Sequence, residues 1–228
     1  MSVISTIQLS KIYNPDTVPV YALDKVNLVF EEKEFTCVIG PSGSGKTTLL
    51  NMIGGLDKPS EGEVHIAGHR IDLLSENKLI DFRLHNIGFV FQHFNLIPVL
   101  TAYENAAFIM HMQGSKDSEI KERVTALLEE VGLGKRMHAR PSELSGGEQQ
   151  RVAVVRAMAS RPAFILADEP TANLDSKSAF NLLDIMSKLN EEEGITFIFS
   201  THDQRVIERA RRVVKMVDGR IEEDRLIY

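Results

Sequence analysis

Short apolar runs alternate with helical stripes along this chain. Phe35-Thr-Cys-Val-Ile39, Ile87-Gly-Phe-Val-Phe91, Phe164-Ile-Leu-Ala167 and Ile195-Thr-Phe-Ile-Phe199 are of strand length and lack the in-out alternation of a half-exposed strand. They predict buried strands of a parallel sheet. Ile7-Gln-Leu9 and Val26-Asn-Leu28-Val-Phe30 do alternate and predict antiparallel strands. Gly62 to Ile71 predicts a strand, a turn and a second short strand, and Asp218-Gly219 marks a hairpin between Val213–Val217 and Arg220-Ile221. Helical spacing lies between the buried runs. Leu49, Met52, Ile53 and Leu56 share one side of a helix. Ile120, Val124, Leu127, Leu128 and Val131 share another, which stops at Gly132. Val152, Val155 and Ala159 form a third stripe, ended by Pro162. Ala179, Leu182, Leu183, Ile185, Met186 and Leu189 form a fourth, capped by Asp175 or Ser176. The pattern predicts an α/β fold with a mostly parallel core and an antiparallel β fringe. Residues 1–91 and 164–228 form the core, and 92–163 form an inserted helical subdomain.

Between the first buried run and its helix lie Gly40-Pro-Ser-Gly-Ser-Gly-Lys-Thr47. Strand, glycine loop, helix is the context of a phosphate-binding loop. Gly40, Pro41, Ser42, Gly43, Ser44 and Gly45 would turn backbone N–H groups onto phosphates, and the helix N-terminus adds its dipole. Lys46 supplies a point charge to the β- and γ-phosphates. Thr47, followed by Thr48, puts a hydroxyl on Mg²⁺. Phe164–Ala167 ends in Asp168 and Glu169. Strand ends of an open α/β sheet face the ligand crevice, so Asp168 suits Mg²⁺ and Glu169 suits polarising the attacking water. Gln92, after the run ending at Phe91, can reach Mg²⁺ or the lytic water. His202, just beyond 195–199, can contact the γ-phosphate and position Glu169. Tyr13 is either an adenine-stacking aromatic or a core tyrosine.

Leu144-Ser-Gly-Gly-Glu-Gln149 opens another helical pattern and makes a second anion-binding helix start. One triphosphate does not need two such cradles from one chain. The economical reading is two chains facing each other, each closing the other's site.

Composition narrows the setting. Among 228 residues, 43% are hydrophobic and 25% charged, as in an ordinary globular chain, and the net charge of −6 argues against a nucleic-acid partner. Arg205, Arg209, Arg211 and Arg212 are the best basic patch, but they read as a solvated helix end. The single cysteine, Cys37, lies in a buried run, which excludes a disulfide framework and suits a reducing cytosol. The first residues lack the pattern of a secretory signal, and no stretch offers eighteen consecutive apolar residues. Membrane work would need a partner. His65, His69, His85, His93, His111 and His138 show no metal-ligand spacing.

Taken together these residues resemble the ATP-binding cassette (ABC) transporter ATPases, over essentially the whole chain. Leu144–Gln149 resembles the family's signature motif, Asn173-Leu-Asp175 its loop that crosses the dimer, Gln92 its glutamine loop and His202 its switch histidine. The resemblance implies a P-loop NTPase (RecA-like) core. It implies an ATPase using ATP and Mg²⁺, and an ATP-dependent homodimer. In that dimer Ser145, Gly146, Gly147, Glu148 and Asp175 act on the partner's nucleotide. Gly54-Gly-Leu-Asp-Lys-Pro59, Gly88–Leu96, Leu100–Asn105 and Leu166–Asp175 resemble the branch that contains LolD, MacB and FtsE. That branch usually has Gly at Ala172 and often at Lys33. Its members pair with an FtsX/MacB-type membrane subunit at the inner face of the cytoplasmic membrane, for lipoprotein release, extrusion or mechanotransmission. Phe91, His93, Phe94, Leu96 and Ile97 flank Gln92. Phe91 is expected to pack internally, and Phe94 and Leu96 to meet that subunit. A soluble cassette ATPase acting on DNA or ribosomes would carry a long coiled coil, zinc modules or two cassettes, and none is present. A P-loop kinase or GTPase leaves the Ser-Gly-Gly segment and His202 unexplained.

Overall fold

The structure is a computed structural model that describes residues 2–227. The antiparallel fringe comes first. β1 (Ser2–Tyr13) and β2 (Val20–Glu31) form a long hairpin. After β3 (Phe35–Ile39) and α1 (Lys46–Ile53), β4 (Glu61–Ile66) pairs antiparallel with β1, and β5 (His69–Arg70) completes a sheet of order β2-β1-β4-β5. The chain then forms α2 (Glu76–Asn86), β6 (Ile87–Val90), α3 (Ala102–Met112), α4 (Asp117–Glu130) and α5 (Gly146–Ala159). It ends with β7 (Phe164–Asp168), α6 (Ser176–Glu193), β8 (Thr196–Ser200), the short α7 (Gln204–Ile207), β9 (Arg212–Val217) and β10 (Arg220–Leu226).

The second sheet has the order β10-β9-β3-β8-β7-β6. Its strands are parallel except β10, which returns from β9 through Asp218 and Gly219, both at positive φ as a tight hairpin turn requires. The apolar runs are continuous because both faces are covered. Phe35, Cys37, Ile165, Ala167, Phe197, Phe199 and Val213 point into a cluster shared with α3 to α6. Val38, Phe164, Leu166, Ile198, Val214 and Met216 point the other way, onto α1 and the antiparallel sheet. The parallel sheet is therefore the middle layer of three, and its buried runs follow from that placement.

Helix ends follow their residues. Asp175 caps α6 by accepting from the Ser178 N–H at 3.0 Å. Thr101 and Glu104 form a capping box on α3. Gly132 and Gly194, in left-handed conformation, close α4 and α6. The four candidate arginines each meet a carboxylate: Arg205 on Asp203, Arg209 on Asp184, Arg211 on Glu191, and Arg212 on Glu34 and Asp224.

Candidate functional site

β3 ends at Ile39, and the next six residues turn the chain into α1. At Gly45 the backbone has φ 99°, and a side-chain carbon would overlap the Ala22 carbonyl oxygen. Only glycine fits there. Gly45 is also the N-cap, and no side-chain hydrogen bond caps the helix. The first-turn N–H groups thus point from the loop without a capping side chain. Lys46 lies along the loop, its Nζ donating to the Gly40 carbonyl at 2.8 Å and the Pro41 carbonyl at 3.0 Å.

The loop opens on a cavity of about 640 Å³. Gly40, Pro41, Ser42, Gly43, Ser44, Gly45, Lys46, Thr47 and Thr48 line it, and so do Gln92, Glu169 and His202. Residues from β6, β7 and β8 converge because parallel strands all end on the same edge of the sheet. Asp168 pairs in register with Ser200, and Val90 with Ala167. The Thr47 hydroxyl is 3.3 Å from both Asp168 carboxylate oxygens. Burial pushes the Asp168 carboxyl above its ordinary range. Thr47, Asp168 and the Gln92 amide offer only oxygen donors, which fits a hard divalent cation such as Mg²⁺.

Glu169 adopts φ 47°, a left-handed conformation uncommon for a side-chain-bearing residue. It is held there by its N–H, which donates to the Ser200 carbonyl at 2.8 Å. Its Oε1 lies 2.7 Å from His202 Nδ1, and its Oε2 accepts from the Thr201 hydroxyl at 3.3 Å. The His202 side chain is 76% exposed, so the ring faces outward from the carboxylate it touches. Thr171 donates to Asp203 at 2.7 Å, tying the loop after β7 to the loop after β8. Arg205 on the same carboxylate holds the Asp203 carboxyl down at about 2. Gln92 and Asn173 are paired: Gln92 Nε2 is 3.5 Å from Asn173 Oδ1, and Asn173 Nδ2 donates to the Gln92 carbonyl at 3.0 Å.

The signature segment stands elsewhere. Ser145, Gly146, Gly147 and Glu148 do not line their own chain's cavity, nor does Asp175. Ser145 caps α5 by accepting from the Glu148 N–H at 3.3 Å, while Glu148 accepts from the Ser145 N–H at 2.8 Å. A side-chain carbon on Gly147 would lie 2.8 Å from Ser178 Oγ, so this glycine lets the N-termini of α5 and α6 meet. Asp175 spends its carboxylate on Ser178, through both the N–H and the hydroxyl.

Tyr13 is also outside the lining. Its hydroxyl is 3.2 Å from Asp57 Oδ2, and the Lys11 ammonium lies 5.1 Å from its ring centre. Val20, Tyr21, Ala22 and Ser200 line the cavity without having been singled out in the sequence, and Ala172, read there only as a departure from the branch away from the nucleotide, lines it as well. The strand-end rule that selects Asp168 selects Ser200 equally. Nothing in the sequence distinguishes Tyr21.

A separate groove of about 440 Å³ lies between α2, α3 and the segment after Gln92. Ile80, Leu84, Phe89, Ile97, Phe108 and Met112 make it largely apolar, and Phe91 lines it as well. Two sequence expectations change here. Phe91 is half-buried and faces the groove rather than packing wholly inside, because β6 ends one residue earlier. Leu96 turns into the main core cluster, and Phe94 lies against Gly146, so neither lines the groove.

The ABC transporter family model matches residues 23–172. A Thermotoga maritima protein, named an uncharacterized ABC transporter ATP-binding protein, is 46% identical over 96% of this chain and 94% of its own length. The macrolide export ATP-binding/permease protein MacB of Rhodopirellula baltica is 46% identical over 89% of this chain, which spans 30% of that protein. A solved dimer of the ATP-binding cassette MJ0796, bound to ADP and Pi in a post-hydrolysis state, matches with a TM-score of 0.89. It is 41% identical and covers 99% of both chains.

Proposed function

The chain belongs to the ABC transporter family, and from that premise we propose how its residues divide the work. It is an ATP-binding cassette ATPase. The observation that carries the assignment of roles is the Glu169–His202 pair, 2.7 Å apart, on the rim of the cavity that holds Lys46.

In this reading the loop from Gly40 to Gly45 and the start of α1 bind the phosphates, and Lys46 leaves its loop carbonyls for the β- and γ-phosphate oxygens. Thr47, Asp168 and Gln92 would hold Mg²⁺, which neutralises phosphate charge when bound. Glu169 accepts a proton from the attacking water, and His202 keeps that carboxylate aimed at it. Tyr13 stacks on adenine after its ring leaves Lys11. Ser145, Gly146, Gly147, Glu148 and Asp175 act on the partner's nucleotide; their position outside their own cavity supports this, as does the dimeric state of the solved relative. ATP shared by two chains favours the closed dimer because it contacts both only there. Residues 92–163 serve as the helical subdomain that carries the signature to the partner.

No helix among the described residues is long and apolar enough to cross a membrane. From the resemblance to the MacB branch we assign transport to a membrane subunit of FtsX/MacB type, with the chain peripheral on the inner face of the cytoplasmic membrane. The work is lipoprotein release, extrusion of small molecules or peptides, or mechanotransmission. The groove beside Gln92 suits a short helix with a few apolar anchors.

Glu169→Gln tests the chemistry. Turnover should fall at least about hundred-fold, as for loss of a general base. ATP should still bind, and the dimer should accumulate in light scattering with ATP and Mg²⁺. Wild-type turnover would remove Glu169 from the catalytic role. For the groove, Phe108→Asp and Met112→Asp should preserve ATP binding by the isolated chain and abolish stimulation by an FtsX/MacB-type subunit. Full stimulation in both would place the coupling surface elsewhere.

A further inference from the structure

Directly after the signature segment, α5 carries a side chain that reaches back into its own chain's catalytic edge. Gln150 is fully buried. Its Nε2 donates to the Pro170 carbonyl at 2.8 Å and to the Phe91 carbonyl at 3.3 Å. Pro170 follows Glu169, and Phe91 precedes Gln92. Two carbonyl acceptors define the amide's orientation, since only its NH₂ end can donate to both. Its Oε1 has no hydrogen-bond partner within the protein, so these two carbonyls are the side chain's hydrogen-bond partners. Arg156, further along the same helix, donates to the Asn95 carbonyl at 2.5 Å and the Phe94 carbonyl at 2.9 Å. Phe94 and Asn95 both have positive φ, so the segment after Gln92 is bent where the helix grips it.

We infer that Gln150 is a positioning residue that sets Gln92 and Glu169 from the signature helix. It rests on the proposal that the start of α5 meets the partner's nucleotide. α5 then joins two sites: from Gly146 to Gln150 the helix rises only about 6 Å. A shift of its N-terminus on engaging the partner's γ-phosphate is passed to both carbonyls at once. The catalytic carboxylate of one chain is thereby set by the nucleotide of the other. Positioning matters because small misplacements of a catalytic group cost large factors in rate.

Gln150→Met keeps the length and apolar packing of the side chain and removes both donated hydrogen bonds. Steady-state ATPase, ATP affinity and ATP-driven dimer mass are measured beside Glu169→Gln. The expected result is kcat at least ten-fold below wild type, with KM and ATP affinity within two-fold and the ATP-bound dimer retained. Should Gln150→Met not fold, Gln150→Leu, which likewise removes both donors, replaces it with the same expected split. Wild-type kcat overturns the proposal. So does a loss of ATP-driven dimerisation that parallels the loss of rate, or failure of both variants to fold, since either makes Gln150 a structural support only. The Glu169→Gln arm separates the two levels: wild-type turnover there defeats the catalytic assignment itself, whatever Gln150 does.

Discussion

Two helix starts carry glycines in this molecule, and they are finished differently. α1 begins at Gly45 with no capping side chain, and its first turn lines the cavity of its own chain. α5 begins at Ser145 and is capped twice over, by the Ser145 hydroxyl and the Glu148 carboxylate, outside that cavity. An uncapped N-terminus leaves N–H groups for an anion. The capping box of α5 satisfies two amides, those of Ser145 and Glu148. A Ser hydroxyl that accepts from an N–H still has its proton to donate, so Ser145 can cap α5 and bind a phosphate oxygen together. The first cradle suits tight holding of a nucleotide by one chain. The second suits a contact made and broken as two chains meet.

The largest effect comes from damaging each cradle in a different chain. Lys46→Ala and Gly146→Asp homodimers should both lack turnover. A heterodimer of one with the other confines both defects to a single composite site, so a measurable fraction of wild-type ATPase should return. Tandem-tag purification of the heterodimer followed by phosphate release is the measurement. No recovery would mean that each chain uses its own signature helix.

A smaller effect should follow Ser145→Ala. The lost cap costs roughly 1 kcal/mol of stability, visible as a lower denaturation midpoint. The lost donor to phosphate should slow turnover about ten-fold, while ATP affinity of the monomer stays unchanged. Weaker monomer binding would place Ser145 in its own chain's cradle and erase the difference between the two helix starts.

The smallest effect concerns the tie between the loops after β7 and β8, behind the cavity that α1 serves. Arg205, with Thr171, holds the Asp203 carboxyl at about 2, below its unfolded value. Its contribution to stability is therefore complete above about pH 4 and is lost as pH falls through 2. Thermal melts of wild type and Asp203→Asn should differ by a constant amount from pH 7 to pH 5 and converge toward pH 2. A gap that persists at pH 2 would show that the Asp203 carboxylate is not the source of the difference.

Much of the catalytic edge was legible because parallel strands repeat one signal. Phe35–Ile39, Phe164–Ala167 and Ile195–Phe199 each end beside chemistry, and the cavity gathers Lys46, Glu169 and His202 accordingly. α2 was not legible: Leu79 is its one buried residue, so it carries no apolar stripe to read. Gln150 was hidden for a different reason. In the polar run Glu148-Gln-Gln-Arg151 it looks solvated, and only the packing of α5 beneath β6 and β7 buries it. Phe94 and Leu96 misled because an apolar residue near a loop does not announce which way it turns.

The sequence by itself determined a buried parallel sheet and the phosphate cradle. Buried parallel strands need apolar residues on both faces, and a loop that takes the conformation of Gly45 needs glycine. Those requirements are local and leave a mark on every residue involved. Tertiary structure decided what depends on distance across the sheet: the Glu169–His202 contact, the placement of the signature outside its own cavity, and the grip of Gln150 on the carbonyls of Phe91 and Pro170. A backbone carbonyl is the same in every residue. Hydrogen bonds that end on carbonyls therefore leave no trace in the sequence of the partner they hold.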